Sequence, residues 1–556
     1  MLDVSVPLGY LILVLGAILA FFLYVLNERK KQKRLKDRLD REWGKEQLVY
    51  RNYERIGIYN DNIKVKSDQF NLSSRSLEDL NFNEVYSRID RCRTKIGQQY
   101  LFSILQRPLN NVQELEKRNT LSTFFLENEK VRQKLEAYLI SLNKNLTYSI
   151  PNLIFTWELN SSKNRLLIWI LSALPLVLIF LGIVVHKNFF LFLVISFVVN
   201  LFFHYKNKER VEFFIGPFAQ IPSLRKYVLK VSKLDKMFFD EDVQRACDSL
   251  KDFGKYQFLL HSEKTGQNDL YSFLWLFMEY VKITFLVENN LLDICLKISN
   301  RSKDEIHTLF KYIGALDTAQ SIASYRCSLE YFCIPKFHSK APKIDTESAY
   351  HPLIYSCEPN DLQSNEKGII ITGSNMSGKT TFIRMISLNV VLAQTIYTVC
   401  AAKYEASFFN VYTSIGIQDD IMNGKSYYLE EINSIYSFIN HSRKPNCFNL
   451  FVIDELFKGT NTVERIAGAK GVLEYLIKGD NLVIVSTHDT ELADLLSPAY
   501  KLYHFEESVT SEGYQFDYRM KDGMLKTRNA IRLLEMFGYP DEVIESAFSY
   551  IISSET

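Results

Sequence analysis

Uncharged runs and helical patterns alternate along this chain. Val6 to Leu26 and Leu166 to Val185 contain no charged residue, and each is long enough to cross a bilayer as a helix, which takes about 20 apolar residues. Phe189 to Phe203 is also uncharged, and only His186, Lys187 and Asn188 separate it from the second run. A buried core helix is the alternative for this shorter run. The tight turn favours a hairpin that re-enters the membrane.

Basic residues flank the uncharged runs and predict their orientation. NERKKQKRLKDR follows the first run, KNKER follows the third, and Lys163 and Arg165 precede the second. Basic flanks stay in the cytoplasm, which places the N-terminus outside, residues 27–165 inside, the 186–188 turn outside and the chain from about 205 inside. The first run lacks the basic start and small-residue cleavage site of a signal peptide. We therefore expect a multi-pass cell-membrane protein with the lipid bilayer as a partner and its bulk in the cytoplasm.

Outside the uncharged runs, the chain before about residue 326 has a helical pattern. The charged start of 28–74 is typical of a solvated helix or of a segment attracted to anionic lipid headgroups. Apolar residues recur at helical spacing before and after the hairpin. We predict these segments: a transmembrane helix over 1–27, a basic juxtamembrane segment over 28–74, the first part of a helical core or lever domain over 75–165, a transmembrane hairpin over 166–205, the second part of that core over 206–325, and an α/β domain over 326–556.

The pattern changes near residue 326. CSLEYFCIPKF, NLFVIDEL and NLVIVSTHD are short β-rich runs separated by helical stretches. This alternation predicts an α/β domain with a largely parallel sheet. The fold class is therefore multidomain, with transmembrane helices, an all-α core and a C-terminal α/β domain.

Bulk composition adds little. The net charge of +2 argues neither for nor against a nucleic-acid partner. The eight cysteines form no C-x-x-C pair and have no histidine at zinc spacing, which is typical of reduced thiols in a reducing compartment.

The segment GIIITGSNMSGKTTFIRMI, from Gly368 to Ile386, matches the phosphate-binding pattern G-x-x-x-x-G-K-[ST] between a strand and a helix. Lys379 would contact the β- and γ-phosphates and the Thr380 hydroxyl would bind Mg²⁺, so ATP and Mg²⁺ are the expected cofactors. The candidate nucleotide-binding residues of this loop are Gly373, Ser374, Asn375, Met376, Ser377, Gly378, Lys379, Thr380 and Thr381.

Polar residues end two further apolar strands. In LFVIDE, Asp454 would hold Mg²⁺ through water, and Glu455 would orient and deprotonate the attacking water. In VSTHD, Thr487 and His488 would lie beside the same crevice, with His488 sensing the γ-phosphate. The alternatives are a solvated strand end for the carboxylates and a structural role for the histidine.

Four segments of the C-terminal region, in this order, resemble the ATPase domain of MutS-type DNA mismatch-repair proteins: GSNMSGKTTFIR, SIGIQDDIMNGKSYYLEEINSI, FVIDELFKGTNTVERIAGAKGVLEYL and VSTHDTEL. The resemblance continues through HPLI at 351–354 and YRMKDGMLKTRNAIRLLEMFGYPDEVIESA near the C-terminus. TKIGQQYLFSILQRPLNNVQELEKRN, from Thr94, looks like the start of the MutS core domain. The similarity covers roughly residues 75–145 and 320–550.

This resemblance implies an ABC-type ATPase that works as a homodimer, closing when ATP binds and opening after hydrolysis. It implies that Ser426 caps the γ-phosphate bound by the partner subunit, that Gly459 to Thr462 lie at the interface, and that Gln418 and Asp419 couple the site to the helical arms. It also places His504 near the adenine base of the nucleotide. It further implies double-stranded DNA as a partner and a role in mismatch repair. Without the resemblance, Ser426 would be an ordinary helix cap.

The chain departs from the family pattern in several places. Ser374 and Ser377 replace the usual proline and glycine of the loop, and the short segment between HPLI and the loop lacks an obvious aromatic residue to stack on adenine. Nothing before residue 75 resembles the mismatch-reading domain. One alternative is therefore a membrane scaffold or remodelling ATPase without DNA. A second is an ABC transporter component, although three spans are few for one and no L-S-G-G-Q occurs.

Overall fold

The computed structural model describes residues 8–63, 69–155, 165–256, 269–338, 340–364, 366–374, 376–416, 427–443, 447–510, 513–524 and 538–554. The chain divides into two compact units. The helical unit comprises Met1–Lys64, Arg91–Ser103 and Thr123–Ser324, and the sheet unit comprises Val65–Asp90, Ile104–Ser122 and Tyr325–Thr556.

Helices account for most of the described residues. Several begin at polar caps, for example at Asn52 and Asn461, whose side chains accept hydrogen bonds from backbone N–H groups three residues on. The α-helices are Leu8–Glu42, Tyr53–Asn62, Ser74–Asp79, Phe82–Ile89, Lys95–Leu105, Val112–Glu127, Glu129–Ile140, Ile150–Phe155, Arg165–Val184, Phe189–Phe218, Ile221–Val231, Glu241–Ser249, Asp269–Thr284, Val287–Arg301, Lys303–Ser328, Lys379–Thr395, Tyr427–His441, Thr462–Leu476, Thr490–Leu496 and Asp541–Ser554.

A buried carboxylate organises the core of the helical unit. Asp317 is fully buried and accepts hydrogen bonds from the backbone N–H groups of Arg93 and Thr94 and from the Thr94 hydroxyl. A Cβ at Gly97 would lie 2.2 Å from an Asp317 carboxylate oxygen, so only glycine fits there. This explains why TKIG stands at the start of the core-domain resemblance.

The two uncharged runs of the predicted hairpin form adjacent helices that pack against each other. By length and composition, Arg165–Val184 and Phe189–Glu209 could each cross a membrane. The second helix continues through KNKER to Phe218, beyond the predicted end of the hairpin. Of the first predicted span, Val6 and Pro7 lie outside the described residues. The remainder belongs to the helix Leu8–Glu42, which also includes the basic stretch.

The sheet unit contains a six-stranded sheet with strand order β10-β9-β4-β8-β7-β6. Five of its strands are parallel, and β10 pairs antiparallel to β9 at one edge. A smaller mixed sheet has the order β1-β5-β2-β3. The strands are β1 Lys336–His338, β2 Ile344–Ala349, β3 Asn360–Gln363, β4 Gly368–Thr372, β5 Lys403–Ser407, β6 Phe409–Ser414, β7 Phe448–Asp454, β8 Asn481–Ser486, β9 Lys501–Thr510 and β10 Gly513–Asp522.

One sequence-based expectation was wrong. CSLEYFCIPKF was predicted as a β-rich run, but its first two residues, Cys327 and Ser328, belong to the helix Lys303–Ser328. Cys333 makes only an isolated bridge with Val399, and β1 is three residues long. The aromatic residues of this run are stabilised by side-chain packing instead of strand pairing. For example, the ring of Tyr331 lies edge-on to that of Tyr350, with centroids 4.9 Å apart.

Candidate functional site

Three neighbouring parallel strands of the large sheet end at one edge. β4, β8 and β7 are almost entirely buried, and their last residues are Thr372, Ser486 and Asp454. Ligands of open α/β sheets bind outside the carboxyl ends of such strands. The candidate site lies at this edge.

The loop after β4 has glycines where the backbone requires them. Gly373 and Gly378 have φ values of +140° and +104°, in the region that favours glycine. A Cβ at Gly373 would also lie 2.7 Å from the Phe505 carbonyl oxygen. The helix Lys379–Thr395 begins directly after Gly378, so its N-terminal N–H groups face the loop, as in anion-binding sites.

Lys379 is buried, with 2% of its surface exposed. Its Nζ donates hydrogen bonds to the carbonyl oxygens of Gly373 at 2.5 Å and Ser374 at 2.7 Å. Burial lowers the pKa of Lys379 to about 8, although Asp454 opposes this shift. At neutral pH the loop therefore holds a protonated ammonium group whose direct partners are uncharged.

Both serines that depart from the family pattern make hydrogen bonds within this region. The Ser377 hydroxyl donates to the Ser374 carbonyl oxygen at 2.7 Å, and the Ser374 hydroxyl donates to Glu507. These bonds hold the loop in shape without the proline and glycine of the family pattern.

Thr380 and Asp454 form the candidate metal site. The Thr380 hydroxyl donates to Asp454 Oδ2 at 2.8 Å, and the Ser486 hydroxyl donates to the other carboxylate oxygen. A hydroxyl and a carboxylate are hard oxygen ligands of the kind that Mg²⁺ prefers, so these residues fit that ion. Ser486 was missed by sequence reasoning, and its only signal was its place at the end of the apolar strand NLVIVS.

Glu455 has an uncommon backbone conformation. Its φ is +57°, and that of Phe457 is +56°, while the Phe457 N–H donates to the Glu431 carboxylate. Non-glycine residues in this region cost roughly 1–3 kcal/mol and cluster at functional sites. The buried Glu455 carboxylate lies 3.2 Å from His488 Nδ1 and 2.6 Å from Lys458 Nζ.

His488 is half-exposed beside Glu455. Burial lowers the pKa of His488, helped by nearby cations and opposed by Asp489. The lowered pKa favours the neutral imidazole, which can donate a hydrogen bond from one ring nitrogen and accept one at the other. Asp489 forms a two-pronged ion pair with Arg465, with N–O distances of 2.8 and 3.0 Å, which fixes the turn after β8.

Aromatic side chains line the cleft beside the loop. This cleft of about 460 Å³ is bordered by Met376, Thr381, Phe505 and Tyr518 among others. Tyr518 is on β10, more than a hundred residues after the loop in sequence, and it lies close enough to contact a Cβ placed at Gly378. Tyr355 is the aromatic residue that follows HPLI in sequence, and Tyr518 brings a second aromatic ring to the loop from the β9–β10 hairpin.

His504 is on β9, next to Thr372 in the sheet register, and its Nδ1 lies 3.0 Å from the Gly523 carbonyl oxygen. Asn461 caps the helix Thr462–Leu476 within the predicted interface segment. Four predicted residues, Asn375, Gln418, Asp419 and Ser426, lie outside the described residues.

Asp79 connects two parts of the site and was not predicted. Its buried carboxylate accepts hydrogen bonds from the Thr413 hydroxyl at 2.8 Å and the Ile415 N–H at 2.9 Å, where β6 ends. Its backbone carbonyl accepts a hydrogen bond from Arg384, on the helix that follows the phosphate loop, at 2.6 Å. Asp79 thereby joins that helix to the chain entering the predicted Ser426 segment.

Comparisons with known proteins point to the same region. Residues 369–553 match the family MutS domain V. The chain is similar to proteins named DNA mismatch repair protein MutS: 30% identical over 44% of this chain and 29% of the protein in Natronomonas pharaonis, 32% over 47% and 33% in Petrotoga mobilis, and 26% over 54% and 36% in Thermus thermophilus. The chain thus spans about a third of the length of these curated relatives.

Proposed function

Because this chain belongs to the MutS family, we propose that it is an ATPase of the P-loop, ABC type that works as a homodimer anchored in the cell membrane. The proposal rests on one observation above all. Lys379, the Thr380–Asp454 pair and Glu455 meet at the carboxyl edge of a single parallel sheet. Each of these groups has a different role in the transfer of the γ-phosphoryl group to water.

The chain's own groups suit that reaction. Lys379 would exchange its carbonyl partners for phosphate oxygens of ATP, to which its charge is better matched. Thr380 and Asp454 would hold Mg²⁺, which neutralises phosphate charge when bound. Glu455 would accept a proton from water as the water oxygen bonds to the γ-phosphorus. The bond from that phosphorus to the β–γ bridging oxygen breaks, and ADP and phosphate leave.

His488 would act through Glu455 and the γ-phosphate. Its neutral ring lies within reach of the Glu455 carboxylate, so one nitrogen can interact with that carboxylate while the ring orients toward the departing phosphate. Phe505 and Tyr518 offer apolar and aromatic surface to the adenine base.

The dimer is tested by mixing two inactive variants. If Ser426 completes the partner's site, Lys379→Ala and Ser426→Arg proteins should each be inactive alone. Mixed, they should recover part of the ATPase activity, because one composite site then has an intact loop and an intact Ser426. Recovery should increase with protein concentration. Full activity of Ser426→Arg alone would contradict a site shared between subunits but would leave the ATPase assignment intact.

Double-stranded DNA is the proposed partner, because the relatives are named as DNA mismatch repair proteins. The test is an electrophoretic mobility assay of the full chain in detergent, with matched and mismatched duplexes across a salt series. Phosphate contacts require the affinity to fall steeply with salt. Absence of any salt-dependent shift would favour a remodelling ATPase without DNA.

Membrane anchoring is proposed from the uncharged runs and the exposed apolar side chains of the hairpin, such as Leu166, Ile183 and Leu191. The ATPase domain would lie in the cytoplasm and the 186–188 turn outside. A cysteine replacing Lys187, in a chain without its native cysteines, should react with an impermeant maleimide in intact cells. Failure to react would contradict the proposed orientation.

A further inference from the structure

The helix Asp269–Thr284 is apolar but lies outside the predicted hairpin. No charged residue occurs from Leu270 to Met278. Leu276, Phe277 and Tyr280 are exposed by 64%, 56% and 55% on neighbouring positions of the helix surface. Exposed apolar patches of this kind mark interaction surfaces.

The same helix packs against the second hairpin helix, Phe189–Phe218. The ring of Tyr280 stacks on that of Phe197, with centroids 4.9 Å apart and planes inclined by 23°. Asn200 Nδ2 donates to the Thr284 carbonyl oxygen at 2.7 Å and to the Leu171 carbonyl oxygen at 3.1 Å. One amide therefore ties the helix to both arms of the hairpin.

A polar stripe on the hairpin faces inward. Ser196, Asn200 and His204 are spaced four residues apart on Phe189–Phe218, and each is at most 3% exposed. His204 Nε2 lies 3.9 Å from Glu279. Lys282 Nζ lies 3.8 Å from Glu279 and 2.9 Å from Glu288. Polar groups at membrane depth normally face other protein and pair there, so this stripe needs a protein neighbour.

The position of the helix Asp269–Thr284 along the hairpin indicates how deep in the membrane its exposed apolar face would lie. Phe197 is eight residues into its helix, about 12 Å from the outer turn at 1.5 Å per residue. A bilayer core is about 30 Å thick, so Tyr280, stacked on Phe197, would lie inside it. At 16 residues, the helix reaches about 24 Å and is too short to cross.

We propose that the helix Asp269–Thr284 is a further membrane-embedded element, which enters the bilayer beside the hairpin without crossing it. Its Thr284 carbonyl and Glu279 carboxylate face Asn200 and His204 of the stripe, and Leu276, Phe277 and Tyr280 contact lipid acyl chains. This inference rests on the proposed anchoring of the hairpin. Through the Lys282–Glu288 pair, the embedded helix is joined to the next helix, Val287–Arg301, which gives the helical core a direct connection to lipid.

The test uses the full chain, without native cysteines, reconstituted in phosphatidylcholine vesicles. A single cysteine replaces Phe277 and is labelled with the environment-sensitive dye NBD, and Leu276→Cys is a second position in case the first disturbs folding. Val194→Cys, on an exposed hairpin position, is the control for anchoring, and Phe239→Cys is the control for an exposed position outside the hairpin. Quenching by brominated lipid and by aqueous iodide is measured for each.

We expect the label at 277 to match the label at 194, with lipid quenching at least twofold above that at 239. If 194 is quenched by lipid and 277 is quenched by iodide, the inference is overturned and hairpin anchoring stands. If 277 is shielded from both quenchers, protein covers this face and the inference is again overturned. Iodide quenching at both 194 and 277 would overturn the anchoring itself, and the inference with it.

Discussion

Lys379 in the sheet unit and Lys282 in the helical unit are buried to the same degree, at 2% and 3% exposure, but their ammonium groups have opposite kinds of partner. Lys379 donates to two backbone carbonyl oxygens of its own loop. Lys282 lies between the carboxylates of Glu279 and Glu288. Neutral partners leave the charge of Lys379 available to an anion, whereas carboxylates cancel that of Lys282.

The difference shows that burial alone does not identify a functional lysine. Burying a charge is costly unless it is paired, so an ion pair is the usual structural solution. A buried lysine whose partners are only carbonyl oxygens retains part of the free-energy cost of burying its charge. Binding of a phosphate group can lower that cost. The partners of the ammonium group, rather than its exposure, separate a ligand-binding lysine from a structural one.

Substitution of each lysine by methionine should separate the two roles. Lys379→Met should weaken ATP binding by about 10-fold to 25,000-fold, because one or two charge-assisted hydrogen bonds worth roughly 1.5–3 kcal/mol each are lost. Lys282→Met is the matched control and should leave ATP affinity unchanged. Titration calorimetry with Mg²⁺-ATP measures both. Equal affinities for the two variants would remove the distinction.

The carboxylates of the two regions should differ in the same way. Glu455→Gln should slow ATP hydrolysis by about 100-fold to 10,000-fold, the range of general-base contributions, while ATP affinity changes little. Glu288→Gln is the control, since this carboxylate pairs with Lys282 in the helical unit. Steady-state phosphate release is the measurement, and a Glu455→Gln rate equal to wild type would exclude this residue as the base.

The structural lysine should matter for stability instead. Lys282→Met should destabilise the helical unit by about 2–3 kcal/mol, below the roughly 3–5 kcal/mol of a fully buried pair, because its carboxylate partners remain partly exposed. Adding Glu288→Gln should recover part of the loss by removing one unpaired charge. Thermal unfolding followed by circular dichroism in detergent tests this, and an unchanged midpoint for Lys282→Met would contradict it.

The pH dependence of binding gives the smallest effect. With the pKa of Lys379 at about 8 in the free protein, ATP affinity should be level near pH 7 and fall by about tenfold per pH unit above 8, since the protonated form binds. Calorimetry at pH 9 in buffers of different ionisation enthalpy should then show about one proton taken up. Absence of uptake at pH 9 would contradict the assignment. Between about pH 8 and 10.5 this lysine is protonated in the unfolded chain but not in the folded one. The free energy of unfolding should therefore increase as the pH rises through that range.

Local motifs predicted the parts of the site that depend on neighbouring residues. The loop before Lys379 and the strand end at Asp454 follow from short patterns, and in the structure the Thr380 hydroxyl lies 2.8 Å from Asp454 Oδ2. Tyr518 and Asp79 could not be found this way, because their places depend on strand register and on contacts between segments far apart in sequence. The extension of the hairpin helix to Phe218 was missed because the charges of KNKER end a hydrophobic run without ending a helix.

The strand order of the large sheet has a consequence for synthesis of the chain. β4 pairs with β8 and β9, which begin at Asn481 and Lys501, so the central strand is made long before either neighbour. At about 5–20 residues per second, GIIIT and the loop after it would wait roughly 5 to 25 seconds on the ribosome without partners. The hairpin has emerged well before then, so under the proposed membrane anchoring the nucleotide site would assemble on a chain already delivered to the bilayer. Premature termination before β9 would leave an apolar strand unpaired, the kind of product that chaperones and proteases must remove.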